Sequence, residues 1–323
     1  MTAYPSPQQL RYLVALADHG HFGRAASACA VSQSTLSAGI IALERQLATA
    51  ILDRGGPSKR PAFTQVGLEI VQRARDALAA LSAVAETAAT AHDPLSGPLR
   101  FGLIPTVGPF LLPRLMPALR DAFPRLRLWL REDLTQNLVA DLEGGRLDLL
   151  LLALPVASAD RLDVVPLAED PFLAALPPAH RLAARNILPA SALSGERLLL
   201  LEDGHCLREH ALAACNLPGP TGGDSFAATT LHTLVQMVAG GLGVTLLPRL
   251  AVEGGVLAGA NVELRPVEDA PGRMLGLAWR TRSPRASEFK GLAATIRDML
   301  EADGRGLSGP GGTPPAAGDP APA

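Results

Sequence analysis

The stretch FGRAASACAVSQSTLSAGIIALERQL, residues 22–47, reads as two helices separated by a two-residue turn. Residues 22–29 form the shorter one. After Ala30 and Val31, Ser32 stands where a serine hydroxyl can accept from the free backbone N–H groups of a first helical turn. Leu36, Ile40, Leu43 and Leu47 then recur every three or four residues and make one apolar face. Upstream, Leu10, Leu13, Val14 and Ala17 repeat in the same way and stop at Gly20, so residues 7–20 predict a helix. Helix, tight turn and capped helix form a helix-turn-helix, whose second helix offers short polar groups to base edges and phosphates. Here those groups are Ser32, Gln33, Ser34, Thr35 and Ser37, with Leu36 and Ile40 pointing the other way. On periodicity alone, the same trio would equally serve as a protein-binding module.

Charge must be located rather than counted. The 323 residues carry 29 basic and 31 acidic side chains, net -2. That balance excludes a polyanion binder working through bulk positive charge but permits a local basic surface. Residues 1–60 supply one, with Arg11, Arg24, Arg45, Arg54, Lys59 and Arg60 against Asp18, Glu44 and Asp53. In GGPSKRPAFT, residues 55–64, turn formers surround Lys59 and Arg60, as in a short wing whose cations reach phosphates beside the groove. A DNA-binding domain over 1–64 is the expectation. Residues 65–92 contain no proline and place Leu68, Val71, Leu78, Leu81, Ala85 and Ala88 at near-heptad spacing, which predicts a linker helix that dimerises. DPLSGP, residues 93–98, breaks it as a hinge.

From residue 99 the pattern changes. LRFGLI, LRLWLRE, LDLLLLAL, RLLLLE, GVTLLP and MLGLAW alternate with helical segments near 110–122, 135–143, 230–240 and 286–302. Such alternation predicts an α/β domain with parallel strands covered by helices, and 99–303 is long enough for two lobes and a cleft. Residues 304–323 hold six glycines and five prolines with almost no bulky apolar side chain, the composition of a disordered tail. The first residues lack the charged and apolar regions of a leader, and the apolar runs fall short of the ~20 residues that span a bilayer. A cytoplasmic protein with no membrane partner is expected. Three cysteines in a chain this long form no secreted disulfide framework.

Two of the three cysteines bracket CLREHALAAC, residues 206–215. Four readings are open. Cys206 and His210 share a helix face as zinc ligands would, although no CxxC or HxxxH spacing completes a set of four. The cysteines could be a buried structural pair. Cys206 beside His205 could be the nucleophile of a thiol enzyme such as a peroxidase. The fourth reading is a redox switch. Asp203 and Gly204 follow an apolar run, so Cys206 falls in a first helical turn, where the helix dipole and free N–H groups favour thiolate. A thiolate attacks peroxide, and the sulfenic acid formed condenses with a second thiol. If 206–215 is one helix, the two Cα atoms lie ~13 Å apart, beyond the ~7 Å that a disulfide tolerates. A bond between them would then require the helix to unwind.

FGRAASACAVSQSTLSAGIIALERQLATAILDR followed by FTQVG resembles the winged helix-turn-helix of LysR-type transcriptional regulators. Ser34, Gly39 and the stretch ATAILDR depart from the usual pattern, and Arg54 retains its basic residue. LLLLEDGHCLREHALAAC, IPTVGPFLLP, TLVQMVAGGLGVTLLP and LGLAWR resemble the hydrogen-peroxide-sensing members of that family, and the similarity runs over residues 7 to about 302. The resemblance implies an N-terminal winged domain, a dimerising helix and a two-lobed, periplasmic-binding-protein-like effector domain. It implies that Cys206 is the peroxide-reactive thiol and Cys215 its disulfide partner. It places hydrogen peroxide among Thr106, Thr135, His205 and Arg280, with no cofactor and no metal. As partners it implies promoter DNA, further copies of the chain up to a tetramer, RNA polymerase and a thiol reductant. The alternative within the same family is a regulator that binds a small organic metabolite between its lobes.

Overall fold

The computed structural model describes residues 4–53, 61–90, 95–156, 159–215, 227–268 and 270–305, without side chains for 83, 85–90 and 302–305. Helix α1 (Pro7–His19) opens with a capping box in which the Ser6 hydroxyl accepts from Gln9 N–H and the Gln9 side chain accepts from Ser6 N–H. Helices α2 (Phe22–Ala28) and α3 (Gln33–Leu47) follow, and Ser32 caps α3 by accepting from Thr35 N–H at 3.1 Å. Tyr12 and Leu16 of α1, Ala25 and Ala26 of α2, and Leu36 and Ile40 of α3 close on one another as a small core. Gly39, one of the departures from the family pattern, belongs to this packing. A Cβ there would lie 2.6 Å from the Tyr12 ring, so the absent side chain is what lets α1 approach α3.

Strands β1 (Leu52–Asp53) and β2 (Ala62–Phe63) pair antiparallel, adding a ribbon to an otherwise helical domain where the wing was expected. The Glu44 carboxylate of α3 accepts from Ile51 and Leu52 N–H at 2.9 and 3.0 Å and fixes where the ribbon begins. Arg54, Lys59 and Arg60, expected on the wing, lie outside the described residues. Thr64 then caps α4 (Gln65–Thr90), accepting from Gly67 N–H at 2.9 Å. The apolar stripe expected on this helix divides. Val71, with Ala74, turns inward to Leu13, Leu43 and Ile51. Leu68 and Leu81 stay exposed, and Val84 joins them at 70 % exposure. The first turns of α4 must cover α1, so part of the stripe is used within the chain.

The effector region forms two lobes. Chain order is β3 (Gly97–Leu103), α5 (Gly108–Ala122), β4 (Leu126–Glu132), α6 (Thr135–Glu143), β5 (Leu149–Leu154), β6 (Leu162–Asp170), β7 (Phe172–Leu176), β8 (Leu188–Pro189), β9 (Leu200–Leu201), α7 (Cys206–Ala214), β10 (Ala227–Ala228), α8 (Leu231–Ala239), β11 (Thr245–Pro248), α9 (Arg249–Glu253), β12 (Glu263–Glu268), β13 (Arg273–Arg280) and α10 (Ala286–Arg305). Lobe one is a five-stranded sheet ordered β4-β3-β5-β13-β6, and lobe two a four-stranded sheet ordered β11-β7-β12-β8 with the β9-β10 pair beside it.

The expected parallel arrangement is only partly present. β3 runs parallel to β4 and β5, whereas β13 is antiparallel to β5 and β6, and β7 is antiparallel to β11 and β12. An apolar run fixes a buried strand but not its direction. The chain leaves lobe one after β6 and returns through β13. Where it crosses, Asp170 and Arg273 pair at 3.0 Å with side chains 4 % and 0 % exposed, and the Asp170 carboxylate also accepts from Leu250 N–H of α9. β3 starts at Gly97, inside the expected hinge, and α10 runs to Arg305, inside the expected tail; residues 306–323 lie outside the described residues. Among the described residues no single helix is long and apolar enough to cross a membrane.

Candidate functional site

Two threonines come from the carboxyl ends of neighbouring parallel strands, the position at which α/β sheets present ligand sites. Thr106 follows β3 and is 2 % exposed. Arg273 donates from Nη1 to Thr106 Oγ1 at 2.7 Å and from Nη2 to the Thr106 carbonyl at 3.0 Å. Because that hydroxyl oxygen accepts from the guanidinium, its own proton is left for another acceptor. Thr135, first residue of α6 after β4, has a buried Oγ1 with no hydrogen-bond partner among the described residues. A buried hydroxyl without a protein partner calls for a small polar occupant.

Lobe two supplies the thiol. After β9 the chain turns at Gly204, whose φ of +97° is a conformation that side chains disfavour. A Cβ at Gly204 would lie 3.2 Å from Leu134 Cδ1, so this turn sits against the residue that precedes α6. His205 and Cys206 follow, Cys206 being half-buried at the head of α7, where the first N–H groups have no helical acceptor. Arg208 ties α7 back to β9, donating to the Leu201 carbonyl at 3.1 Å and pairing with Asp203 at 3.2 Å. Burial pushes the His205 imidazole below its usual range, partly opposed by Glu202. His210, one turn beyond Cys206, is pushed down by burial and then by the Arg273 guanidinium, against Glu209, and its buried Nδ1 has no hydrogen-bond partner among the described residues. Both shifts favour the neutral ring. The influence of Arg273 on His210 ties the cysteine-bearing helix to the Thr106 side of the cleft.

Cys215 ends the same helix inside the effector core, 5 % exposed beside Leu207 and Ala211, and burial pushes its thiol up. Both thiols are free. Nine helical steps separate the two Cα atoms by ~13 Å, with Cys206 at the margin of the effector core and Cys215 within it.

Arg280 does not join Thr106. It stands at the opposite end of β13 from Arg273, ~23 Å away at ~3.3 Å per residue, and its Nη1 donates to the Leu142 and Leu147 carbonyls at 2.6 and 2.7 Å. The arginine bonded to Thr106 is Arg273. RMLGLAWR has an arginine at each end, and only the direction of the strand decides which one meets the cleft. The signal available was the turn-forming APG at 270–272, which marks the chain crossing beside Arg273. His210 was expected to be exposed and is instead half-buried. On the other domain, Ser32, Gln33, Ser34 and Thr35 are exposed and Ser37 is half-buried, with the Ser32 hydroxyl also 2.8 Å from that of Ser34 and 2.7 Å from that of Thr35. Among the described residues no group of three or more histidine, cysteine, aspartate or glutamate side chains could hold a metal ion.

Two family models match the chain: the bacterial regulatory helix-turn-helix protein of the lysR family over residues 7–68, and the LysR substrate binding domain over 92–301. The chain is 44% identical over 294 residues to the DNA-binding transcriptional dual regulator OxyR of Escherichia coli K12, covering 91% of this chain and 95% of that protein. It is 42% identical over 306 residues to a probable hydrogen peroxide-inducible genes activator of Streptomyces viridosporus, covering 92% and 95%. Among solved structures, full-length OxyR of Pseudomonas aeruginosa bearing a cysteine-to-aspartate substitution superposes with a TM-score of 0.74 at 36% identity, covering 91% and 95%. A Corynebacterium glutamicum OxyR cysteine-to-serine mutant with hydrogen peroxide bound gives 0.62 at 30% identity, covering 95% and 98%.

Proposed function

The chain belongs to the lysR family of bacterial regulatory proteins, and from that premise we propose that it senses hydrogen peroxide through a reversible Cys206–Cys215 disulfide and controls oxidative-stress genes. One observation carries the reading: two free thiols end a single helix, Cys206 half-buried just after the Gly204 turn that sits against Leu134, and Cys215 in the core.

The chemistry balances as follows. The Cys206 thiolate attacks one peroxide oxygen, an S–O bond forms, the O–O bond breaks, and the leaving hydroxide takes a proton to become water. In this reading the Thr106 proton, left free by the Arg273 hydrogen bond, is the donor for that developing charge. His205 and His210, kept neutral, add no repulsion toward Arg273. The Cys215 sulfur then attacks the sulfenic sulfur, expelling a second water and closing the disulfide. Because ~13 Å of helix separates the two Cα atoms, closure must unwind α7. A thiol reductant reverses the step.

The reading includes promoter DNA contacted by Ser32, Gln33, Ser34, Thr35 and Ser37 and by the wing residues Arg54, Lys59 and Arg60, action together with RNA polymerase, a cytoplasmic location, and a regulatory rather than enzymatic role. A second copy of the chain is supported by the exposed Leu81 and Val84 of α4 and by β4, an edge strand with Trp129 66 % exposed. Non-reducing peptide mapping after one equivalent of peroxide tests the chemistry. The expected product links the peptides holding Cys206 and Cys215, and Cys206→Ser abolishes it together with the change in DNA binding. Thiols that stay free would turn the reading toward a metabolite-responsive regulator.

A further inference from the structure

A chain of alternating charges runs from the first turn of α6 to the DNA-binding domain. It starts at Asp133, whose carboxylate accepts from Leu134 N–H at 2.8 Å and from the Asn137 amide at 2.7 Å, and so braces the first turn of α6 next to Thr135. Asp133 pairs with Arg131 at 2.9 Å. Arg131 also lies 3.0 Å from the opposite oxygen of Asp141, an ion pair outside hydrogen-bond geometry. Asp141 accepts from Arg146 Nε at 2.7 Å. Arg146 then leaves the effector lobes and donates to Asp18 on α1 at 3.2 Å, and Asp18 also accepts from Arg75 on α4 at 2.6 Å.

The backbone beneath Arg146 is held as firmly as the charges. Arg146 and Leu147 N–H both donate to the Asp141 carbonyl, and Arg280 clamps the Leu142 and Leu147 carbonyls from β13. Gly145, at φ +72°, brings this turn so close to α4 that a Cβ would lie 3.7 Å from Ala79. Helix α6 is thus a nine-residue rod with Thr135 at the cleft and a docking turn at its other end. Asp18, Arg75 and Arg146 are 26 %, 24 % and 38 % exposed, so the junction is partly shielded from water and the pairs are screened less than free surface pairs.

We propose that residues 142–147 form a latch that holds the DNA-binding domain against the effector domain in the dithiol state, and that oxidation opens it. This inference rests on the peroxide-sensing reading. In the dithiol structure the Gly204 turn packs on Leu134 and seats α6. Unwinding α7 to join its two cysteines removes that support, α6 shifts, and Arg146 leaves Asp18, which frees α1 and α4 to take the spacing that the oxidised regulator uses. Each domain contributes differential contacts to two states, as coupling between sites requires.

The test compares the full-length chain with Asp18→Asn, Arg146→Gln and the double variant. Three quantities are read: disulfide formation after stoichiometric peroxide, the ratio of promoter-DNA dissociation constants of the reduced and oxidised forms, and hydrogen exchange in residues 142–147 of the reduced form. We expect disulfide formation within about twofold of the parent, a fall of about fivefold or more in the redox ratio of DNA affinities, and faster exchange in the turn. The double variant should fall short of the sum of the two single ones, because the Asp18–Arg146 contact is lost in each, whereas Arg75–Asp18 is weakened only by Asp18→Asn and Arg146–Asp141 only by Arg146→Gln. An unchanged redox ratio in both single variants, additive effects in the double variant, or exchange that matches the parent would each overturn the latch. A parent chain that forms no disulfide would instead overturn the peroxide reading, so the two failures are distinguishable.

Discussion

Thr106 shows how much one hydrogen bond determines. Its hydroxyl is held as an acceptor by Arg273, which leaves a single proton for another acceptor, in the proposed reaction the departing peroxide oxygen. Thr106→Val should therefore slow Cys206 oxidation by about 10²-fold in stopped-flow experiments, while Arg280→Met, at the far end of β13, leaves the rate within about twofold of the parent. A Thr106→Val rate equal to the parent's would remove the hydroxyl from the reaction. The histidines make a second prediction at this scale. His205 and His210 both titrate below their ordinary 6.5, mainly through burial. Between the lowered folded values and 6.5 the unfolded chain binds protons that the folded chain does not. Stability is consequently full above about pH 6.5 and is lost as pH falls through the folded values. Melting temperatures taken from about pH 7.5 to about pH 5 should fall less steeply in His210→Gln than in the parent, and equal slopes would place the linkage elsewhere.

Two helices turn local spacing into constraint. α7 separates its cysteines by exposure as well as by distance, Cys206 half-buried at the cleft and Cys215 5 % exposed with its thiol pushed up. Brief iodoacetamide treatment of the reduced protein should label Cys206 well before Cys215, and mass spectrometry of the peptides reads the order. Equal labelling would mean that the helix already opens in the dithiol state. In α3, Gly39 exists for Tyr12, which is 5 % exposed and has no room to retreat. Gly39→Ala should lower unfolding stability by about 1–3 kcal/mol through overpacking, measured by urea titration. No change would mean that α1 and α3 adjust without strain.

For the whole molecule, one helix presents two faces. The inward face of α4 carries Val71 and Ala74 to the domain core, and its outward face leaves Leu81 and Val84 in water. If copies of the chain pair through α4, replacing both with Leu81→Glu and Val84→Asp should lower the mass of the assembled parent in sedimentation equilibrium to that of a monomer. An unchanged mass would place dimerisation on another surface. The same helix receives Arg75–Asp18 and borders the turn at Gly145, so the proposed pairing surface and the proposed latch lie along one helix.

The local features of this protein were legible in its sequence because they depend on neighbours within one or two helical turns. Ser32 caps α3, Thr64 caps α4, and Cys206 opens α7 where the apolar run, the turn and the periodicity located them. The surroundings of Thr106 and Thr135 were not legible. Arg273, which bonds Thr106, is 167 residues away in sequence, and the Gly204 turn beside Leu134, the residue before Thr135, belongs to the other lobe. Strand direction decided that Arg273 rather than Arg280 meets the cleft, and burial decided that His210 faces inward. Neither is a property of spacing along the chain. The path from Asp133 to Asp18 was invisible for the same reason: its charges are scattered through two domains, and only folding brings Arg146, 128 residues distant in sequence, to the carboxylate of Asp18.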